Sequence, residues 1–134
     1  MDTKDIAHHM FKQDAFSQWL GIEIVSVEDG AAVVELEVRE EMTNGFNIAH
    51  GGIAYSLADS ALAFASNSMG RQAVSIETSI SHTKPVKAGE RLKAVAKIKD
   101  KSKKLARLEV EVRCKDELVA LFYGTVFITE KEWK

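Results

Sequence analysis

Apolar and polar positions change rhythm three times along this chain, and each change marks a boundary between kinds of element. From about Thr3 to Leu20 the apolar residues Ile6, Met10, Phe11, Phe16 and Leu20 recur loosely at helical spacing, which predicts a short amphipathic helix with room for a break. Ile22 to Ser26 and Ala32 to Val38 then alternate apolar with polar residues on either side of Glu28-Asp29-Gly30, the signature of a β-hairpin. Ile53 to Ala65 is alanine-rich and apolar nearly all round, as a buried helix must be, and its small residues permit close packing. Downstream the period returns to two: Gln72 to His82, Arg91 to Ile98, Ala106 to Cys114 and Val119 to Ile128 read as four strands, with Leu108, Val110 and Val112 alternating against Glu109, Glu111 and Arg113. Pro85 to Gly89, Asp100 to Lys104 and Lys115-Asp116-Glu117 mark the turns. One buried helix among two early and four later strands implies an α+β layer architecture, an antiparallel β-sheet wrapped around a long central α-helix.

Composition narrows the partners. The chain has 134 residues, 46% apolar, with a formal net charge of −2, enough for a single domain over residues 1–134 with a sizeable core. Charges are scattered along the predicted strands without a continuous basic stripe, so nucleic acid is not an expected partner. The one cysteine, Cys114, has no partner for an internal disulfide and fits a reducing, cytoplasmic compartment. Met1-Asp2-Thr3-Lys4-Asp5 lacks the basic-then-apolar order of a signal peptide, and no apolar run approaches membrane-spanning length, so no membrane association is expected.

The chemistry concentrates in Asn44-Gly45-Phe46-Asn47-Ile48-Ala49-His50-Gly51-Gly52 and in Asp59, a lone acid inside the apolar helix. A Gly51-Gly52 pair opening a helix presents free N–H groups at the positive end of the macrodipole, where a developing oxyanion can be held; the same pair also serves helix packing, and the residues alone do not choose. His50 reads equally as a brace at the helix start or as a catalytic group. Asp59 is costly in an apolar setting unless it has work to do or a partner. His8-His9 do not share a helix face, and no His, Cys or acid cluster has metal-ligand spacing, so no metal is expected. Cys114, on a strand without a nearby base, reads as an inert thiol.

Spacing adds a constraint. Eight residues of one α-helix separate Gly51 from Asp59 by roughly 12 Å, whereas an oxyanion donor and a carboxylate working on one carbonyl must each come within roughly 3 Å of it. Two copies with antiparallel helices crossing near Tyr55 would bring Gly51 of one chain towards Asp59 of the other. The expectation is a homodimer with two shared active sites.

This order of hairpin, Asn44-Gly45, His50-Gly51-Gly52, Leu57-Ala58-Asp59, small-residue helix and four strands resembles the hotdog fold, and in detail the PaaI-type acyl-CoA thioesterases of phenylacetate degradation, over nearly the whole chain. The resemblance implies hydrolysis of a coenzyme A thioester of an aryl-acetyl or other small acyl group, with no cofactor because coenzyme A is part of the substrate. It implies dimers whose sheets join and a homotetramer formed as a dimer of dimers. Carried over by position, Gly51 matches the N–H that polarises the thioester carbonyl, Asp59 of the partner chain the general base or nucleophile, Asn44 a polar group that places water or carbonyl, and His50 the histidine that braces the turn. Gly52 and Ser60 join the substrate side, with Ser60 and Asn44 available to offset desolvation of Asp59. For the phosphates of coenzyme A the available cations are Lys84 and Lys87 on one turn and Lys101, Lys103 and Lys104 on another, the second favoured for the nucleotide end. The chain departs from the family at Ala49 and in Ser79-Ile80-Ser81-His82-Thr83-Lys84-Pro85, where relatives commonly carry an acid or Asn followed by Phe-Leu-Arg-Pro; this strand borders the expected cleft. A non-catalytic acyl-CoA sensor and a dehydratase on a related fold are the alternatives, the second lacking its usual histidine and acid arrangement here.

Overall fold

The computed structural model describes residues 1–134, and its elements follow the sequence pattern closely. Helix α1, Thr3–Gln13, is capped by Asp2, whose carboxylate accepts from the Asp5 N–H. It stops at Asp14, which caps the next helix α2, Ala15–Leu20, by accepting from the Ser17 N–H at 2.9 Å. The expected break in the first helix is therefore one aspartate that ends one turn and starts another. Gly21, at φ 76°, closes α2 in the left-handed region that glycine adopts without strain.

Strands β1, Glu23–Glu28, and β2, Ala31–Glu37, form the predicted hairpin about Gly30. A 3-10 turn at Glu40–Met42 and an irregular loop lead to α3, Gly51–Asn67. Strands β3 (Arg71–His82), β4 (Arg91–Lys101), β5 (Leu105–Cys114) and β6 (Glu117–Glu132) complete one antiparallel sheet in the order β1-β2-β4-β5-β6-β3. β4 and β6 run past the expected Ile98 and Ile128 because ladder pairing continues where burial on either face has stopped, at Asp100 and Lys101 and again at Glu132.

Helix α3 lies across this sheet and touches all six strands. Its Leu57, Leu62 and Phe64 meet Leu36, Leu92, Leu108 and Phe122 in one continuous core. Gly124 on β6 makes the approach possible: a Cβ there would stand 2.2 Å from Leu62 Cδ1. The half-exposed positions on α3 are Gly51, Gly52, Tyr55, Ser56, Asp59, Ser60 and Ala63, among which Gly52, Ser56, Asp59 and Ala63 form one helical stripe of small residues around a single acid. Edge strand β3 pairs only with β6 and exposes Val74 and Ile76. No helix is long and apolar enough to cross a membrane.

Candidate active site

The loop before α3 is built to deliver an unspent amide. Asn44 Oδ1 accepts from the N–H groups of Phe46 (2.9 Å) and Ile48 (3.4 Å), its own N–H donates to Ile48 O, and Asn47 occupies the left-handed region at φ 62°, which a short amide side chain tolerates. The loop is moored by Ala49 N–H to Val86 O and His50 N–H to Met42 O. His50 is the N-cap: its Nδ1 accepts from the Gly52 N–H at 2.8 Å, which leaves the ring proton on Nε2. Ile53 N–H donates to His50 O, whereas the Gly51 N–H has no acceptor within the chain. Of the two glycine amides, one is spent on the cap and one is free at the positive end of a seventeen-residue helix.

Neither glycine is there for its backbone freedom. A Cβ on Gly52 would lie 3.0 Å from His50 Nδ1, and one on Gly51 would lie 3.2 Å from His82 Nε2. Both glycines make room for imidazoles. Beside them opens a cavity of about 350 Å³ lined by Asn44, His50, Gly51, Ala54, His82 and Lys84, among others. Asn44 lines this space, and its side-chain amide nitrogen donates to nothing within the chain. Three of the four expected catalytic residues thus share one cavity.

Asp59 and Ser60 are elsewhere. They lie two turns along α3 and do not line the cavity. Asp59 is half-buried, and its titration is raised above the ordinary carboxylate range by burial first and by the nearby Asp14 carboxylate second. Ser60 Oγ is 2.8 Å from Ser17 Oγ, which donates at 2.5 Å to Asp14, so the expected substrate-side hydroxyl is tied to α2. Within one chain the donor and the acid face different spaces.

The cations divide likewise. Lys84 lines the cavity mouth and ion-pairs with Glu117. Lys103 borders a separate hollow with Ser66, Arg71 and Lys101 at the far end of α3, and Lys104 is beside it on the same turn. Cys114 is a core residue whose thiol is pushed up by burial and by Glu90, with Sγ 3.6 Å from the Glu90 carboxylate; it stays protonated. His82 is the residue that the pattern of the chain did not single out. Its strand was noted for departing from the family, yet only the tertiary packing of the β3 end against the α3 start brings that imidazole over Gly51.

Residues 46–121 match the family model of the thioesterase superfamily. Acyl-coenzyme A thioesterase PaaI of Escherichia coli (strain K12) is 40% identical over 119 residues, covering 88% of this chain and 85% of that protein. The solved structure of the E. coli PaaI protein from the phenylacetic acid degradation operon matches with a TM-score of 0.94 at 36% identity, over 97% of this chain and 95% of that one. The smu.793 protein of Streptococcus mutans UA159, solved bound to acetyl-CoA, matches with a TM-score of 0.80 at 29% identity over 84% and 91%. The sheet and its central helix are the hotdog arrangement of these proteins.

Proposed function

The chain belongs to the thioesterase superfamily and is a thioester hydrolase, and from that premise we propose that its substrate is the coenzyme A thioester of an aryl-acetyl or other small acid. The observation that carries the reading is the free Gly51 N–H at the wall of a cavity beside an unspent Asn44 amide. A thioester carbonyl whose oxygen accepts from Gly51 is polarised by that bond and by the positive end of α3. Asp59 of a second copy completes the site. As base it takes a proton from water, the hydroxyl oxygen adds to the carbonyl carbon, and the tetrahedral intermediate collapses to the acid as the C–S bond breaks. The proton returns to the departing thiolate, leaving the carboxylate as it began. As nucleophile it would instead displace the thiolate, which leaves as the protonated thiol, to form a mixed anhydride. Water adding to the Asp59 carboxyl carbon of that anhydride releases the acid, and a single turnover in ¹⁸O-water then puts label into the enzyme's carboxylate, which the general-base route never does.

Support for the second copy comes from two features. The uncovered stripe of α3 offers Gly52, Ser56 and Ala63 to a facing helix, and the unpaired edge of β3 offers a ladder on which two sheets can join. In an antiparallel pair Ser66 of the second copy lies roughly 10 Å beyond its Asp59, so the Lys103 and Lys104 turn at that end, with Arg71, is the cationic group available to coenzyme A phosphates. Coenzyme A enters as substrate, and these steps use no further cofactor.

The test is thiol release over a panel of acyl-CoA thioesters with wild type and Asp59→Asn. The variant is expected to lose turnover by about a thousandfold or more while still binding substrate, since a base or nucleophile is removed without volume. The folded protein holds the Asp59 proton more tightly than the unfolded chain does, so ionisation of Asp59 costs stability as pH rises through its raised titration. Asp59→Asn removes that cost and should melt higher near neutrality as it loses activity. Binding without release by the wild type would instead mark an acyl-CoA sensor.

A further inference from the structure

Resting on the thioesterase reading, we propose that His82 is a catalytic residue, its Nε2–H acting with the Gly51 N–H as the second donor to the thioester oxygen. The geometry comes from the glycine. His82 Nε2 lies 3.2 Å from the point where a Gly51 Cβ would stand, and a Cβ is roughly 2.5 Å from its own backbone nitrogen, so the two nitrogens are at most about 5.7 Å apart. One oxygen at about 2.9 Å from each can therefore bridge them.

Three further observations fit that use. The imidazole lines the same cavity as Gly51 and Asn44. Its side chain has no hydrogen-bond partner within the chain, in contrast with His50, whose Nδ1 is consumed by the cap. And the ring is exposed at the end of β3, where β3 pairs with β6 through His82 and Ala120, so a ladder rather than a mobile loop holds its backbone. A single amide leaves one lone pair of a developing oxyanion unserved in a partly dry site; a second donor aimed at the same point serves it without reorganisation. Glycine at position 51 has two purposes on this account, a bare amide and clearance for the ring beside it.

The experiment compares His82→Phe, which keeps an aromatic ring and removes the donor, with His82→Gln, which keeps an N–H. His82→Phe is expected to lower kcat about a hundredfold with KM changed less than about threefold, and His82→Gln to restore a good part of the loss. A second readout needs no turnover. An aryl-CoA bound to Asp59→Asn should show its carbonyl stretch shifted to lower frequency than in solution, and adding His82→Phe should reverse part of that shift. Unchanged kcat and an unchanged stretch in His82→Phe overturn the role of His82 while leaving the thioesterase reading intact. No shift in Asp59→Asn itself overturns the Gly51 site on which it rests.

Discussion

The two ends of α3 use polar groups in opposite ways. At the C-terminal end the polar side chains of the helix itself and of its cap, Ser66, Asn67 and Ser68, are all consumed. Asn67, 3% exposed, donates its amide to Ala63 O and Ala73 O at 2.9 and 3.1 Å, and its oxygen accepts from Ala73 N–H and Trp133 Nε1 at 2.9 and 3.0 Å. Ser68 Oγ serves Glu28 O, Ala65 O and the Gly30 N–H. This end fastens β3, the β1–β2 turn and the C-terminal strand to one helix. At the N-terminal end the Gly51 N–H, the Asn44 amide nitrogen and the His82 imidazole are left without partners around a cavity. No buried side-chain polar atom of this chain lacks a partner, so the donors left open are those at the surface and at this cavity wall, where a ligand can reach them.

That contrast breaks most sharply at Gly51. Gly51→Pro removes the amide proton and little more: position 51 is the first helical residue, where proline fits, and His50 before it is extended at ψ 139° as a pre-proline residue should be. The new ring meets His82, which is exposed and can give. A loss in kcat of about a hundred- to a thousandfold, with the melting temperature near wild type, is the expected result. Gly51→Ala carries the same Cβ but keeps the N–H, so it should lose only the part that displacing His82 costs. Equal losses in the two variants would assign the effect to crowding and not to the amide.

Asn67→Ala should do the reverse. It orphans the half-buried N–H and carbonyl of Ala73 and frees Trp133, at a cost of about 3 kcal/mol if each orphaned group costs about 1–2 kcal/mol. For a chain of this size that lowers the melting temperature by roughly 10 °C. Turnover per folded molecule, measured well below the transition, should stay within about twofold of wild type. A variant that kept its stability but lost kcat would dissolve the division between a fastening end and a working end.

The division itself was only half legible in the sequence. Hydrophobic period located all six strands and the buried helix because each turns apolar residues towards the core, β3 only through the half-buried Ala73 and Ile80, and Glu28-Asp29-Gly30 announced its own turn. The eight-residue interval from Gly51 to Asp59 already separated donor and acid, because helix rise does not depend on tertiary context. What packing decides was not legible. The pairing of Lys84 with Glu117 spans 33 residues, and the approach of His82 to Gly51 joins a strand end to a helix start. The chain from Ser60 through Ser17 to Asp14 was hidden for the same reason: nothing local says that the α1–α2 junction packs over the acid of α3.

That junction yields the smallest effect and a directional one. Asp14 raises the titration of Asp59 by like charge, as the lesser cause after burial. It is the one charged group of this chain that shifts Asp59; in the proposed pair the imidazoles of His50 and His82 from the second copy would face it as well. Asp14→Asn removes the charge and keeps the cap of α2, since asparagine accepts from the Ser17 N–H as aspartate does. Both roles proposed for Asp59 need the carboxylate, so the rate is expected to rise with pH through its titration. With Asp14 neutral, Asp59 gives up its proton more readily, and the acid limb of kcat/KM should move to lower pH by the smaller part of the total displacement. The plateau near neutrality should hold within about twofold. A pH–rate profile in which that limb stays in place would show that Asp14 is not felt at the acid; a limb displaced upward would mean that Asp14 supports the ionised form of Asp59, the opposite of like-charge repulsion.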